Sequence, residues 1–168
     1  MKKAIVYYSV SGNCRNAATA MAHRWGADII EVTVKKKPNT KSPFGFMALG
    51  FKSATHKDLK LDGDINAAVA PYDQVYIIAP MRAGNSDPAI NACLKVIDFT
   101  DKEVGIFSVQ ADPGLSGSDK MLDSMAERIE AHGGKIVFRQ AMAGSSPNKI
   151  KSVEDMQVQI NDIFQDVR

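Results

Sequence analysis

Short apolar runs alternate with amphipathic stretches along the chain. "AIVYYS" at 4–9 reads as a strand. "CRNAATAMAHRWG" at 14–26 puts Ala17, Ala18, Met21 and Trp25 at helical spacing and stops on Gly26. "DIIEVTV" (28–34) predicts a strand, and "QVYIIAP" (74–80) a wholly apolar one of the type covered on both faces of a parallel sheet. In "NSDPAINACLKVID", Pro88 suits a first helical position with Ser86 or Asp87 before it as cap. Ile90, Cys93, Leu94 and Ile97 then share one face. "EVGIFSV" (103–109) is a strand, and 118–134 a helix with Met121, Leu122, Met125 and Ile129 inward, ended by a glycine pair. "KIVFRQAMA" (135–143) is the last strand. A helix over 152–167 opens on a capping box, Ser152 to Asp155, and turns Met156, Ile160, Ile163 and Phe164 inward.

This βαβ…βαβαβα succession predicts an α/β protein with a parallel sheet, right-handed crossovers and helices on both faces. One crossover, 35–73, is long, and "PFGFMALGFKSATHK" within it could hold a short helix or an apolar flap. The 168 residues are enough for one domain over 1–168 with a real core and too few for two ordinary ones. No apolar stretch reaches membrane-spanning length. The opening "MKKAIVYYSVSGN" turns polar after five apolar residues and reads as a first strand rather than a signal peptide. Cys14 and Cys93 show no metal-like spacing, and His23, His56 and His132 lie far apart, so structural zinc is not expected and a reduced, cytoplasmic setting is.

Charge is unevenly placed. Residues 1–60 hold 11 Lys/Arg against 3 Asp/Glu, whereas 61–168 hold 10 against 16. The basic cluster "VKKKPNTK" has no aromatic interleaving, so it reads as a solvated loop and not as a nucleic-acid arm.

Candidate chemistry gathers in "SVSGNC", between the first strand and the first helix. Ligands of doubly wound sheets sit beyond the carboxyl ends of the strands, where this loop must lie. Ser9 and Ser11 offer hydroxyls, Gly12 permits close approach, Asn13 can cap, and a helix starting near Cys14 presents bare N–H groups. A phosphate is the natural guest; an ordinary capped turn is the plain alternative. Other phosphate signatures fail. No G-x-G-x-x-G is present, "GFMALGFKS" (45–53) is out of register for a P-loop, and a cysteine-phosphatase loop would need arginine where Ala20 stands. No acidic pair ends the first strand, which removes a phospho-acceptor receiver.

"YYSVSGNC" resembles the flavodoxin phosphate loop, S-x-T-G-N-T, matching on Ser9, Ser11, Gly12, Asn13 and Cys14. "YDQVYIIAPMRAGNSDPAINACL" is similar to that family's "YD…GSP-x-W-x-G…P…FL" stretch, and "KEVGIFSV" before a loop also matches. The resemblance covers nearly the whole chain. It implies a flavodoxin-like, doubly wound five-stranded parallel sheet of order 2-1-3-4-5, with FMN as cofactor. The phosphate would lie on the five residues just named. The ring would lie between Pro80, Met81, Arg82, Ala83, Gly84 and Asn85 on one side and Gln110, Ala111, Asp112 and Gly114 on the other, with backbone groups at its polar edge. A side chain at Gly12 would fill the phosphate's space.

Two departures from the family pattern stand out. Neither ring loop carries Trp, Tyr or Phe, so Met81, Arg82 or the flap residues Phe44, Phe46 and Phe51 would have to cover the ring. Arg82 stands where the family often has an aromatic; it either reaches the ring's polar edge or is a solvated loop charge. Cys14 replaces a hydroxyl with a weak S–H donor. A helix N-terminus could depress its pKa; a buried, inert thiol is the plainer expectation. The implied function is an FMN-binding electron-transfer protein serving a redox partner protein or a small-molecule electron acceptor. The alternative is an FMN-dependent NAD(P)H:quinone-type reductase, and the second alternative a flavin-free interaction module on the same fold. Neither nucleic acid nor membrane insertion is expected.

Overall fold

The computed structural model describes residues 1–40, 42–55, 57–146 and 149–165. His56 and the last two positions of the helix expected over 152–167 lie outside them. In chain order the elements are β1 (Lys3–Tyr7), α1 (Asn13–Trp25), β2 (Asp28–Glu31), β3 (Thr33–Val34), α2 (Pro43–Ala54), β4 (Leu61–Asp62), α3 (Ile65–Val69) and β5 (Gln74–Arg82). They continue with β6 (Asn85–Ser86), α4 (Pro88–Val96), β7 (Glu103–Gln110), α5 (Ser118–Ala131), β8 (Lys135–Ala143) and α6 (Val153–Ile163).

Five strands run parallel in the order β2-β1-β5-β7-β8, which is 2-1-3-4-5 when the five are counted along the chain. Their side chains alternate between two apolar layers, as the pleat requires. Val6, Val75, Ile77, Val104 and Ile106 face one layer, closed by Ile90 and Leu94 of α4 and Met121 and Met125 of α5. Ile5, Tyr7, Tyr76, Ile78 and Phe107 face the other, closed by Ala17, Ala18 and Met21 of α1 and Met156 and Ile160 of α6. Helices therefore cover both faces. In the second layer Trp25 stacks on Tyr76, with ring centroids 4.3 Å apart, and meets Phe164 edge-on at 5.0 Å. Gly105 on β7 makes room for this: a Cβ there would lie 2.6 Å from the Tyr76 ring.

One expectation needs correction. The run 28–34 is not one strand. The Val32 N–H still donates to the Tyr7 carbonyl at 2.8 Å, but Thr33 and Val34 then leave the sheet and pair antiparallel with Asp62 and Leu61. The long crossover is the cause, because its return segment supplies β4 as a competing partner. The crossover also holds a full three-turn helix, α2, capped by Ser42, whose hydroxyl accepts from the Gly45 N–H at 3.3 Å. Elsewhere the expected caps form. Asp87 caps α4 with Pro88 in its first turn, and Ser152 and Asp155 make the reciprocal capping box of α6.

Candidate functional site

At the carboxyl edge of the sheet, a cleft of about 210 Å³ opens among the ends of β1, β5, β7 and β8. Its walls include Ser11, Asn13, Cys14, Pro80, Met81, Arg82, Gln110 and Ala111 from the expected residues. They also include Val10, Thr40, Phe46, Val109, Gly144 and Ser145. The cleft is below the roughly 300–1,000 Å³ of typical ligand pockets, so a larger ligand would lie partly outside it.

The first loop is self-supporting. Gly12 takes φ +105° as the N-cap of α1 and donates its N–H to Ser9 Oγ at 3.0 Å. Asn13 Nδ2 donates to Ser11 Oγ at 3.1 Å, and Asn13 Oδ1 accepts from the Lys151 N–H at 3.0 Å, tying the loop to the start of α6. Because Gly12 has no side chain to cap with, the first turn of α1 opens without a side-chain acceptor on its N–H groups. Ser11 accepts with its oxygen and so keeps its own O–H to give. The expectation about Gly12 changes: a Cβ there would meet Ile150 Cδ1 at 3.1 Å rather than ligand space. Cys14 is buried, and burial pushes its thiol pKa up, outweighing the nearby Arg82 guanidinium. The depressed, reactive thiolate is thus not what the loop builds.

The second wall is a hairpin. β5 runs on past the sheet, and Met81 and Arg82 pair antiparallel with Ser86 and Asn85. Ala83 at φ +47° and Gly84 at φ +75° make the tight turn between them. Ala83, Gly84 and Asn85 serve this turn, with Asn85 Nδ2 on the Ala83 carbonyl at 2.9 Å, and do not line the cleft. Arg82 does. Its Nε donates to Asp87 Oδ2 at 2.5 Å, and the two side chains are 12% and 0% exposed. Asp87 Oδ1 accepts from the Ala89 N–H at 3.0 Å, so this carboxylate both caps α4 and holds Arg82. Burial raises the Asp87 pKa, opposed by Arg82 and the Ala89 N–H. The Tyr8 phenol beside them is pushed up to about 12 by burial and by Asp87. The guanidinium also lies over the Phe46 ring, 5.5 Å from its centroid. Of the expected flap residues, Phe46 reaches the cleft; Phe44 and Phe51 point outward at 83% and 64% exposure.

Gln110 ends β7 at the third wall. Its Nε2 donates to the Ser116 carbonyl at 3.2 Å, leaving the buried Oε1 with no partner among the described residues. Asp112 and Gly114 stand outside the cleft. Asp112 accepts from the N–H groups of Gly114 and Ser116 at 2.9 and 3.0 Å, and those bonds lower its pKa. Gly144 closes the floor. Its N–H donates to the Gln110 carbonyl at 2.7 Å, and a Cβ would meet Val109, Gln110 and Asn13 at 3.1–3.4 Å. A glycine directly after the last strand was the available signal for this contribution. Thr40 and Ser145 gave none. No group of His, Cys, Asp and Glu among the described residues could hold a metal ion.

Doubly wound topology, with an uncapped helix terminus and three sheet-edge loops converging on one cleft, defines the flavodoxin-like class of α/β proteins. The flavodoxin family model matches residues 2–156, and the chain belongs to that family. Solved structures agree in fold. A flavoprotein in complex with FMN from Lactobacillus acidophilus superposes with TM-score 0.67 at 18% identity, over 83% of this chain and 92% of its own. A WrbA-like flavodoxin from Agrobacterium tumefaciens gives 0.62 at 17% identity over 99% of both chains. Two-electron reduced flavodoxin from Megasphaera elsdenii gives 0.56 at 18% identity, over 92% of this chain and 95% of its own. No curated protein matches the chain significantly.

Proposed function

We propose that the protein binds FMN in this cleft and transfers electrons through it to a redox partner protein or a small-molecule acceptor. The observation that carries the reading is the first turn of α1, which opens beside the cleft with no side-chain cap, next to Ser11 and Asn13. Such a terminus favours an anion without needing a basic side chain. The donor set suits a phosphate: Ser11 supplies an O–H, the helix supplies N–H groups, and Ser9 and Asn13 hold the loop open. The orphaned Gln110 Oε1 suits an N–H on the polar edge of a ring. Met81, Arg82 and Phe46 stand in for the absent aromatics on the ring's other surroundings. When bound, FMN supplies the redox chemistry, and the chain's task is to hold, orient and tune it.

One similar structure, the flavoprotein from Lactobacillus acidophilus, is a complex with FMN, which supports the reading. The test is direct. Purified protein titrated with FMN should quench flavin fluorescence to a saturable end point. Ser11→Ala should weaken binding by about 1–3 kcal/mol, the worth of a hydrogen bond to a charged group. No quenching by wild-type protein overturns the reading and leaves the flavin-free interaction module. Rapid oxidation of NADH or NADPH by the loaded protein in stopped flow would favour the NAD(P)H:quinone-type reductase.

A further inference from the structure

Helix α2 carries large apolar side chains on its solvent face. Its inward contacts come from Leu49 and Ser53, both buried. Phe44, Met47 and Phe51, spaced i, i+3, i+7, form a single outward stripe at 83%, 69% and 64% exposure. Side chains of this size grouped on one face mark a contact surface rather than ordinary scatter.

Lysine stands on the helix itself and flanks it along the chain. Lys35, Lys36 and Lys37 precede the helix, Lys52 lies in its last turn, and Lys57 and Lys60 follow, all exposed. The Lys57 N–H donates to the Lys52 carbonyl at 2.9 Å, which holds Lys57 at the end of α2, and the Lys35 N–H donates to the Lys60 carbonyl at 3.0 Å beside β3 and β4. Between Val32 and Leu61 the sequence holds seven lysines and one acidic residue, Asp58. That carboxylate is engaged by Lys95 at 2.6 Å. The face therefore presents exposed aromatic and thioether side chains with Lys52 and Lys57 at the end of the same helix.

We propose that this face docks on an anionic lipid surface, with Phe44, Met47 and Phe51 entering the boundary between headgroups and acyl chains and the lysines neutralised by lipid phosphates. Charge complementarity selects this occupant. A second copy on a two-fold axis would bring the same patch against itself and set lysine against lysine. An anionic bilayer answers both halves of the surface. Docking of this type is peripheral: no helix among the described residues is long and apolar enough to cross a membrane.

The experiment is co-sedimentation of the intact protein with vesicles of phosphatidylcholine alone and of phosphatidylcholine mixed with phosphatidylglycerol. Binding is expected to the mixed vesicles only, with release at high salt. Phe44→Ser/Phe51→Ser and Lys52→Glu/Lys57→Glu should each weaken it at least tenfold. These positions are exposed and outside the cleft, so melting temperature and FMN quenching should stay as in wild type. Failure of wild-type protein to sediment with mixed vesicles, or equal binding to both vesicle types, overturns the proposal. A dimer dissociated by Phe44→Ser, with no vesicle binding, assigns the face to a second copy instead; a monomer with no vesicle binding leaves it to a protein partner. Vesicle binding without FMN quenching would sink the flavin reading and leave this surface standing.

Discussion

Arg82 and Asp87 bind each other in a place where neither could stand alone. Removing the guanidinium, as in Arg82→Met, leaves a carboxylate at 0% exposure with the Ala89 N–H as its remaining partner. The expected loss is about 3–5 kcal/mol, the usual result of breaking a buried pair from one side. Its pH dependence has a definite sign. Burial already raises the Asp87 pKa, and losing Arg82 removes an influence that lowers it. Between the ordinary carboxylate pKa and that raised value, the folded variant keeps a proton that the unfolded chain has shed, so stability falls as pH rises through that window. The deficit against wild type should be smallest in acid and grow toward neutrality in urea melts at a series of pH values. Arg82→Met/Asp87→Asn should recover part of it. On the flavin reading, Arg82→Gln should move the potential of the bound flavin to more negative values, by about 59 mV for each ~1.4 kcal/mol of lost charge stabilisation in a one-electron step. A spectroscopic redox titration reads that shift, and an unmoved potential means that Asp87 cancels the guanidinium's field. Cys14 has a simpler expectation. With its pKa raised by burial, the thiol should label slowly at neutral pH in the folded protein and quickly once unfolded, whether or not FMN is present.

Helix and strand positions were legible wherever periodicity and caps agreed. Capping by Asp87 and Ser152, the inward faces of α4 and α5, and β8 from Lys135 to Ala143 follow from spacing and turn chemistry that act within a few residues. Ser152→Ala should therefore cost about 1 kcal/mol in a thermal melt, as the loss of a capping hydroxyl does. Partners that arrive from far along the chain were not legible. Nothing within "DIIEVTV" announces that Thr33 and Val34 will desert the sheet, because the competing strand lies at Leu61–Asp62. The orientation of α2 was hidden for the same reason. Its placement rests on the buried Ser53 hydroxyl donating to the Ser86 carbonyl at 2.7 Å, beside an Asn91 amide gripped by Arg128. Periodicity cannot orient a helix that is apolar nearly all round. At the cleft, the loop after β1 could be read because its residues are contiguous. The contributions of Thr40, Gly144 and Ser145 come from three-dimensional convergence and left almost no local trace.

Seen whole, the molecule divides its tasks between the sheet and its carboxyl rim. The two apolar layers lie inside the molecule, and the cleft at the rim borrows from them only at Cys14 and Val109; its other walls are strand ends, loops and the start of α1 and α2. Gly12 joins the two economies. With φ at +105° and Ile150 against its α-carbon, Gly12→Val strains the backbone and crowds the entry to α6, so it should lower the melting temperature and, on the flavin reading, FMN affinity as well. A variant that loses FMN with an unchanged melting curve would show that Ile150 yields easily.

The chain's single tryptophan has an optical consequence. Trp25 ends α1, while the cleft lies at the start of the same helix, about 18 Å away at the ~1.5 Å rise of an α-helix residue. Indole emission overlaps the absorption of an oxidised flavin, and at such a separation energy passes efficiently from one to the other. On the flavin reading, ultraviolet excitation should therefore report occupancy of the cleft from the opposite end of α1. Emission should be dim with an oxidised guest, brighter when the guest is reduced and its visible absorption bleaches, and brightest in the apoprotein. Because Trp25 is wedged between Tyr76 and Phe164, a shift of its emission maximum would signal a loosened core, so one lamp can separate an emptied site from a failing fold.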